Sequence, residues 1–172
     1  KVLSVPHKDG KLDAGQVEQL YLAHINDDSF EHTVQPKMVY ISNPTEYGTL
    51  YSRKEIEDLS SICRKYGLYL FMDGARLGYG LAAPDNELDL PFLSQHCDVF
   101  YIGGTKVGAL FGEAVVIANE ELKKDFRYFI KQKGGMLAKG RLLGIQFETL
   151  FEDNLYMEIS KHAIRLAEKL RS

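Results

Sequence analysis

The sequence predicts an α/β fold, with a mostly parallel sheet, helices on both faces and three layers in the order α/β/α. Three observations carry that expectation. Short apolar runs alternate with stretches of helical periodicity, the pattern that builds strand–helix–strand crossovers. The runs Met38–Ile41, Leu68–Met72 and Val99–Ile102 are continuously apolar, as suits strands covered on two sides. The 172 residues, 45% of them hydrophobic, hold enough apolar mass for one domain core.

Each element has its own local signal. Val2–Val5 reads as a short strand running into the turn Lys8-Asp9-Gly10. Asp13 then caps a helix whose apolar positions Val17, Leu20 and Tyr21 recur at helical spacing. Residues 26–35 are polar and read as a loop before the Met38–Ile41 strand. Ser52 with Glu55 three residues on forms a capping box. The helix behind it carries Ile56, Leu59, Ile62 and Cys63 on one face and ends at Gly67. After the Leu68–Met72 strand come a short helix over Leu88–His96 and strands at Val99–Ile102 and Glu113–Ala118. Helices over Glu120–Lys131 and from Leu137 onward finish the chain. The chain opens on Lys1 inside a strand pattern and stops at Ser172 inside a helical one, as expected of a piece of a longer polypeptide.

Composition narrows the possible functions. Lys+Arg 21 against Asp+Glu 24 gives a net charge of −3, which argues against nucleic acid or anionic lipid as the main partner. No apolar run reaches the roughly 20 residues that cross a bilayer, and a cytoplasmic location is expected. Cys63 and Cys97 form no CxxC, the histidines have no metal spacing, and both cysteines read as core.

Chemistry concentrates where strands end, which is where open α/β sheets bind ligands. Asp73 follows an apolar strand. It can cap the next helix, or hold a cation or a protonated heterocycle in its charged state. Arg76 can pair with Asp73 or grip a substrate carboxylate with its fork. Lys106 sits among Gly103, Gly104, Gly108 and Gly112, so a ligand can approach its amine closely. The loop is neither GxxxxGK[ST] nor GxGxxG, yet Thr105 and the backbone N–H groups around Gly104 could cradle phosphate. Asn43 either forms an Asn-Pro turn or donates to a ring oxygen. An acid, an arginine, an amide and a lysine at successive strand ends are what a pyridoxal 5′-phosphate site requires.

These residues carry a family resemblance that spans essentially the whole chain. Asp73-Gly74-Ala75-Arg76, Thr105-Lys106 before Val107-Gly108-Ala109, the Asn43–Thr49 loop and Gly134-Gly135-Met136 resemble the fold-type I pyridoxal-phosphate enzymes. Among these the similarity is to the threonine aldolase and β-eliminating lyase group. The resemblance implies that Lys106 carries the cofactor as a Schiff base, Asp73 meets the pyridine nitrogen and Arg76 binds the amino acid carboxylate. Thr105 and Gly104 would then hold the phosphate, with Asn43 at the ring. His32 falls near a family histidine that meets the substrate hydroxyl, although a solvated loop histidine is the plainer reading. The implied reaction is Cα–Cβ cleavage of a β-hydroxy-α-amino acid to glycine and an aldehyde. β-Elimination, transamination and a non-catalytic phosphate-binding module are the alternatives.

The resemblance also implies a homodimer or homotetramer with active sites at its interfaces. It divides the chain into a cofactor-binding core over residues 1–135 and a helical continuation over residues 136–172 that leads toward a small C-terminal domain. Leu137 departs from the family, which has arginine there.

Overall fold

The computed structural model describes residues 1–171. In chain order, α1 (Ala14–Ile25) precedes β1 (Met38–Ser42), α2 (Arg53–Tyr66) and β2 (Tyr69–Asp73). Then follow α3 (Leu77–Ala82), α4 (Leu90–His96), β3 (Val99–Gly103) and β4 (Glu113–Ile117). Helices α5 (Phe126–Gln132), α6 (Arg141–Phe151) and α7 (Leu155–Arg171) complete the chain. The four strands form one sheet in sequence order. β1, β2 and β3 are parallel, and β4 turns back antiparallel to β3. This is the mostly parallel sheet with helices around it that the alternating pattern predicts.

Local chemistry sets the helix boundaries. The Asp13 side chain accepts N–H bonds from Gly15 and Gln16, and the Gln16 side chain answers on the Asp13 N–H. Ser52 and Glu55 make the same reciprocal box on α2, and Gly67 closes that helix in the left-handed region at φ 63°. Ile56, Leu59 and Cys63 are buried on one side of α2. Each large apolar side chain removed from water there contributes about 2 kcal/mol.

The two faces of the sheet differ. Val39, Ile41, Leu70, Met72, Phe100 and Ile102 point into the helix-covered core. On the other face Met38, Tyr40 and Val115 are each more than half exposed. The continuously apolar runs therefore do not report equal cover on both sides within these residues.

Three expected elements differ. Residues 2–5 form no strand: among the described residues no segment pairs with them, and a lone strand is not stable. The helix expected over Glu120–Lys131 is a 3-10 turn, Glu120–Lys123, followed by α5. The helix expected from Leu137 starts at Arg141 and breaks between α6 and α7, where Asp153 and Asn154 have φ of 48° and 60°. Two left-handed residues cannot continue a right-handed helix.

Residues 136–171 pack into the same core as the sheet. Leu150 and Tyr156 are buried in it, and α7 lies against α3. The Tyr156 hydroxyl accepts the Gly78 N–H at 3.1 Å and donates to the Gly103 carbonyl at 2.9 Å. It thereby joins α7 to α3 and to the end of β3.

Candidate active site

β2 and β3 are parallel neighbours, so the residues leaving their carboxyl ends share one rim of the sheet. The Asp73 side chain lies on the open face. Its Oδ1 accepts the Ala75 N–H at 2.9 Å, and its Oδ2 accepts a short hydrogen bond from the Tyr40 hydroxyl. The Tyr101 hydroxyl lies near enough to the same carboxylate to favour its charged form. Partial burial pushes the Asp73 carboxyl up. Tyr101 and the bonds from Tyr40 and Ala75, with the nearby Lys106 charge, outweigh burial and hold it below the ordinary aspartate value.

The tyrosines respond in the opposite sense. Desolvation, then the Asp73 carboxylate, pushes Tyr40 up to about 12. Tyr101 is raised for the same two reasons. Both hydroxyls therefore stay protonated and act as donors. Tyr40 stacks on Phe71 with centroids 5.5 Å apart and planes 10° apart, and Phe71 meets Tyr101 at 6.1 Å. The result is a row of three aromatic rings beside an anionic carboxylate, with Tyr101 tilted 56° from Phe71.

Lys106 leaves the end of β3 in the loop toward β4. Its carbonyl accepts a short hydrogen bond from the Tyr79 hydroxyl of α3, and Val107 behind it is fully buried. The Lys106 side chain is exposed rather than desolvated, and its ammonium is near enough to lower the Asp73 carboxyl. Asp73 and Lys106 thus leave neighbouring strand ends on the same rim of the sheet.

Arg76 lies one turn beyond Asp73. Its Nη1 pairs with Glu46 Oε1 at 2.9 Å. Both residues line a cavity of about 300 Å³ with Pro44, Thr45, Tyr79 and Gly80. The Glu46 charge also reaches Tyr40, so this ion pair borders the Asp73 cluster. A larger cavity of about 590 Å³ lies around Lys11 and Glu55, which neutralise each other at 2.9 Å. It includes none of Asn43, Asp73, Arg76, Thr105 or Lys106.

Four expected site residues sit differently. The Gly104 N–H and the Thr105 hydroxyl, expected to cradle phosphate, both donate to Glu113, at 2.6 and 3.0 Å. Asn43 is buried on the helix-covered side, following Val39 and Ile41 in the alternation, whereas Asp73 pairs in register with Ser42. Its Oδ1 accepts the Tyr51 N–H at 3.0 Å, and its Nδ2 is the orphaned buried side-chain atom among the described residues. Asn43 therefore fixes the loop after β1 rather than facing Asp73. His32 ends an exposed 3-10 turn ahead of β1, with no bond or ring contact to Asp73, Arg76 or Lys106 among the described residues.

Sequence reasoning missed Tyr40, Tyr101, Glu46 and Glu113. Period-two alternation places Tyr40 and Tyr101 on the Asp73 face, but only once the strands are in register. Cys63 and Cys97 are buried as expected, and burial pushes both thiols up to about 12. Among the described residues no cluster of three potential metal ligands exists, and no helix is long and apolar enough to cross a membrane.

The donor set fits an aromatic cofactor with a cationic ring nitrogen and an aldehyde. The carboxylate is held anionic, an amine lies within its field, and aromatic rings lie beside the carboxylate. The architecture is that of a fold-type I α/β domain. The chain belongs to the β-eliminating lyase family, whose model matches residues 1–171. A low specificity L-threonine aldolase of Pseudomonas sp. (strain NCIMB 10558) is 33% identical over 175 residues, covering 100% of this chain and 49% of that protein. One from Pseudomonas aeruginosa is 32% identical over 99% of this chain and 48% of its own length. A solved Leishmania major threonine aldolase superposes with a TM-score of 0.93 at 49% identity, covering 99% of this chain and 49% of that one. The chain thus spans about half the length of these relatives.

Proposed function

We propose that the full-length protein is a pyridoxal-phosphate-dependent lyase that cleaves the Cα–Cβ bond of a β-hydroxy-α-amino acid, giving glycine and an aldehyde. One observation carries the reading: Asp73 and Lys106 leave the carboxyl ends of neighbouring parallel strands, and the Asp73 carboxylate is held by the Tyr40 hydroxyl and the Ala75 N–H. The family membership and the threonine aldolase relatives support it.

When bound, pyridoxal phosphate supplies a protonated ring that takes up the electron pair released at Cα. Asp73 would hold the proton on the ring nitrogen, since a carboxylate below its ordinary pKa stabilises an adjacent cation. Lys106 would hold the aldehyde carbon through its amine. Arg76 engages Glu46 through Nη1 alone, which leaves Nη2 and Nε for a substrate carboxylate. Fixing that carboxylate orients the scissile bond, and orientation of this kind lowers a barrier by about 7 kcal/mol. Tyr40, at about 12, is too weak an acid to be the base that takes the β-hydroxyl proton near neutral pH, so its part is to support Asp73.

Threonine turnover by the full-length protein tests the reading. Glycine with acetaldehyde is the expected product pair, and Lys106→Ala should abolish it. Formation of 2-oxobutanoate with ammonia would reassign the reaction to β-elimination, and undiminished turnover by Lys106→Ala would overturn the proposal. The same reading carries a cytoplasmic homodimer or homotetramer, and sedimentation of the full-length protein tests the assembly.

A further inference from the structure

We infer that Glu113 is the positioning residue of the lysine loop, occupying with its own carboxylate the anion seat that the sequence assigns to phosphate. The inference rests on the proposed function and concerns how this chain presents Lys106 to the cofactor. Glu113 opens β4 opposite Gly103 in the antiparallel register, so its side chain rises on the Asp73 face. From there its two oxygens divide between the two residues that precede Lys106. Oε2 accepts the Gly104 N–H at 2.6 Å, and Oε1 accepts the Thr105 hydroxyl at 3.0 Å.

Gly104 is then fully engaged, because its carbonyl accepts the N–H groups of Val107 at 2.9 Å and Ala109 at 3.0 Å. The loop is tied at two further points. Tyr79 holds the Lys106 carbonyl, and Gln146 of α6 accepts the Leu110 N–H at 2.6 Å. Glu113 is the charged member of this set, and charge-assisted bonds to a carboxylate are the stronger kind. A phosphate brought to the same N–H and hydroxyl would stand against the Glu113 carboxylate, and two anions at that distance repel. Thr105 therefore acts on Lys106 through Glu113, and the cofactor phosphate is held by other groups.

Two aldehydes that differ only in the phosphate separate the possibilities. The full-length protein, freed of cofactor, is titrated with pyridoxal phosphate and with pyridoxal. Attachment to Lys106 is followed by absorbance and by borohydride trapping. Glu113→Ala should weaken both aldehydes by about tenfold, and Thr105→Val should weaken both by about threefold, the scale of one lost hydrogen bond. Glu113→Gln, which restores one acceptor oxygen, should recover part of the loss. The ratio between the two aldehydes should stay at its wild-type value in Thr105→Val, which leaves the Glu113 charge in place, and should move toward pyridoxal phosphate in Glu113→Ala and Glu113→Gln, where the repelling carboxylate is gone.

Loss confined to pyridoxal phosphate in Thr105→Val would show that the hydroxyl contacts phosphate and would overturn the inference. So would wild-type attachment of both aldehydes in Glu113→Ala. Thr105 is exposed, so its valine variant still reports if Glu113→Ala fails to fold. Should the wild-type protein attach neither aldehyde at Lys106, the failure belongs to the proposed function instead.

Discussion

Gly74→Ala is expected to damage the fold and the site together. A Cβ built on Gly74 lies 1.9 Å from the Tyr101 carbonyl oxygen and 3.1 Å from Leu77 Cβ. The nearest obstacle is backbone, not the tip of a mobile side chain. β3 would have to retreat from β2 by more than an ångström at the point where the Gly74 carbonyl accepts the Gly103 and Leu77 N–H groups, both at 2.9 Å. Overpacking against side chains costs about 1–3 kcal/mol, and a rigid carbonyl places this case at about 3 kcal/mol. Urea unfolding of the full-length protein measures it. With a slope of about 3 kcal/mol/M, the midpoint should fall by roughly 1 M with the slope unchanged. The same shift moves Ala75, whose N–H holds Asp73 Oδ1, so cofactor affinity should fall as well. A loss below about 1 kcal/mol with cofactor affinity intact would refute the argument that β2 and β3 touch through this glycine.

Other perturbations read other parts of the account. Gly144→Ala lies inside α6, where an added Cβ meets nothing within 4 Å; it should stabilise by about 0.5–1 kcal/mol, and thermal unfolding checks the sign. Tyr156→Phe leaves the buried Gly78 N–H and Gly103 carbonyl without their shared hydroxyl and should cost about 2–3 kcal/mol, measured by denaturant titration. Tyr40→Phe removes a donor that helps hold Asp73 below its ordinary pKa. The stability from a depressed carboxyl is present above its unfolded value and lost as pH falls through the folded value. The variant's folded value is higher, so its acid unfolding should begin at higher pH; an unchanged acid midpoint would contradict the assignment.

Much of the fold is legible because it is written in local chemistry. Asp13, Ser52 with Glu55, and Gly67 mark helix ends through bonds to their own neighbours, and each cap is found where its residue type predicts. Val2–Val5 fails because a strand needs a partner, and composition does not say whether one is present. The placement of Asp73 and Lys106 at strand ends is legible from apolar strands that stop abruptly at polar residues. Their supporting groups are not, since Tyr40 and Tyr101 reach Asp73 only through strand register. Glu113 reaches the lysine loop only because β4 reverses direction. Thr105 and Gly104 illustrate the limit most sharply. Their residue types suggest donors for phosphate, while the carboxylate they bond in this structure comes from nine residues away along the chain.

Peptide mapping after borohydride reduction of the cofactor-loaded, full-length protein addresses the central claim most directly. Asp73 and Lys106 are held to serve one aromatic aldehyde, so the pyridoxyl mass should fall on the peptide containing Lys106, and Asp73→Asn should weaken its retention. A label on another lysine, or full retention by Asp73→Asn, would contradict the account.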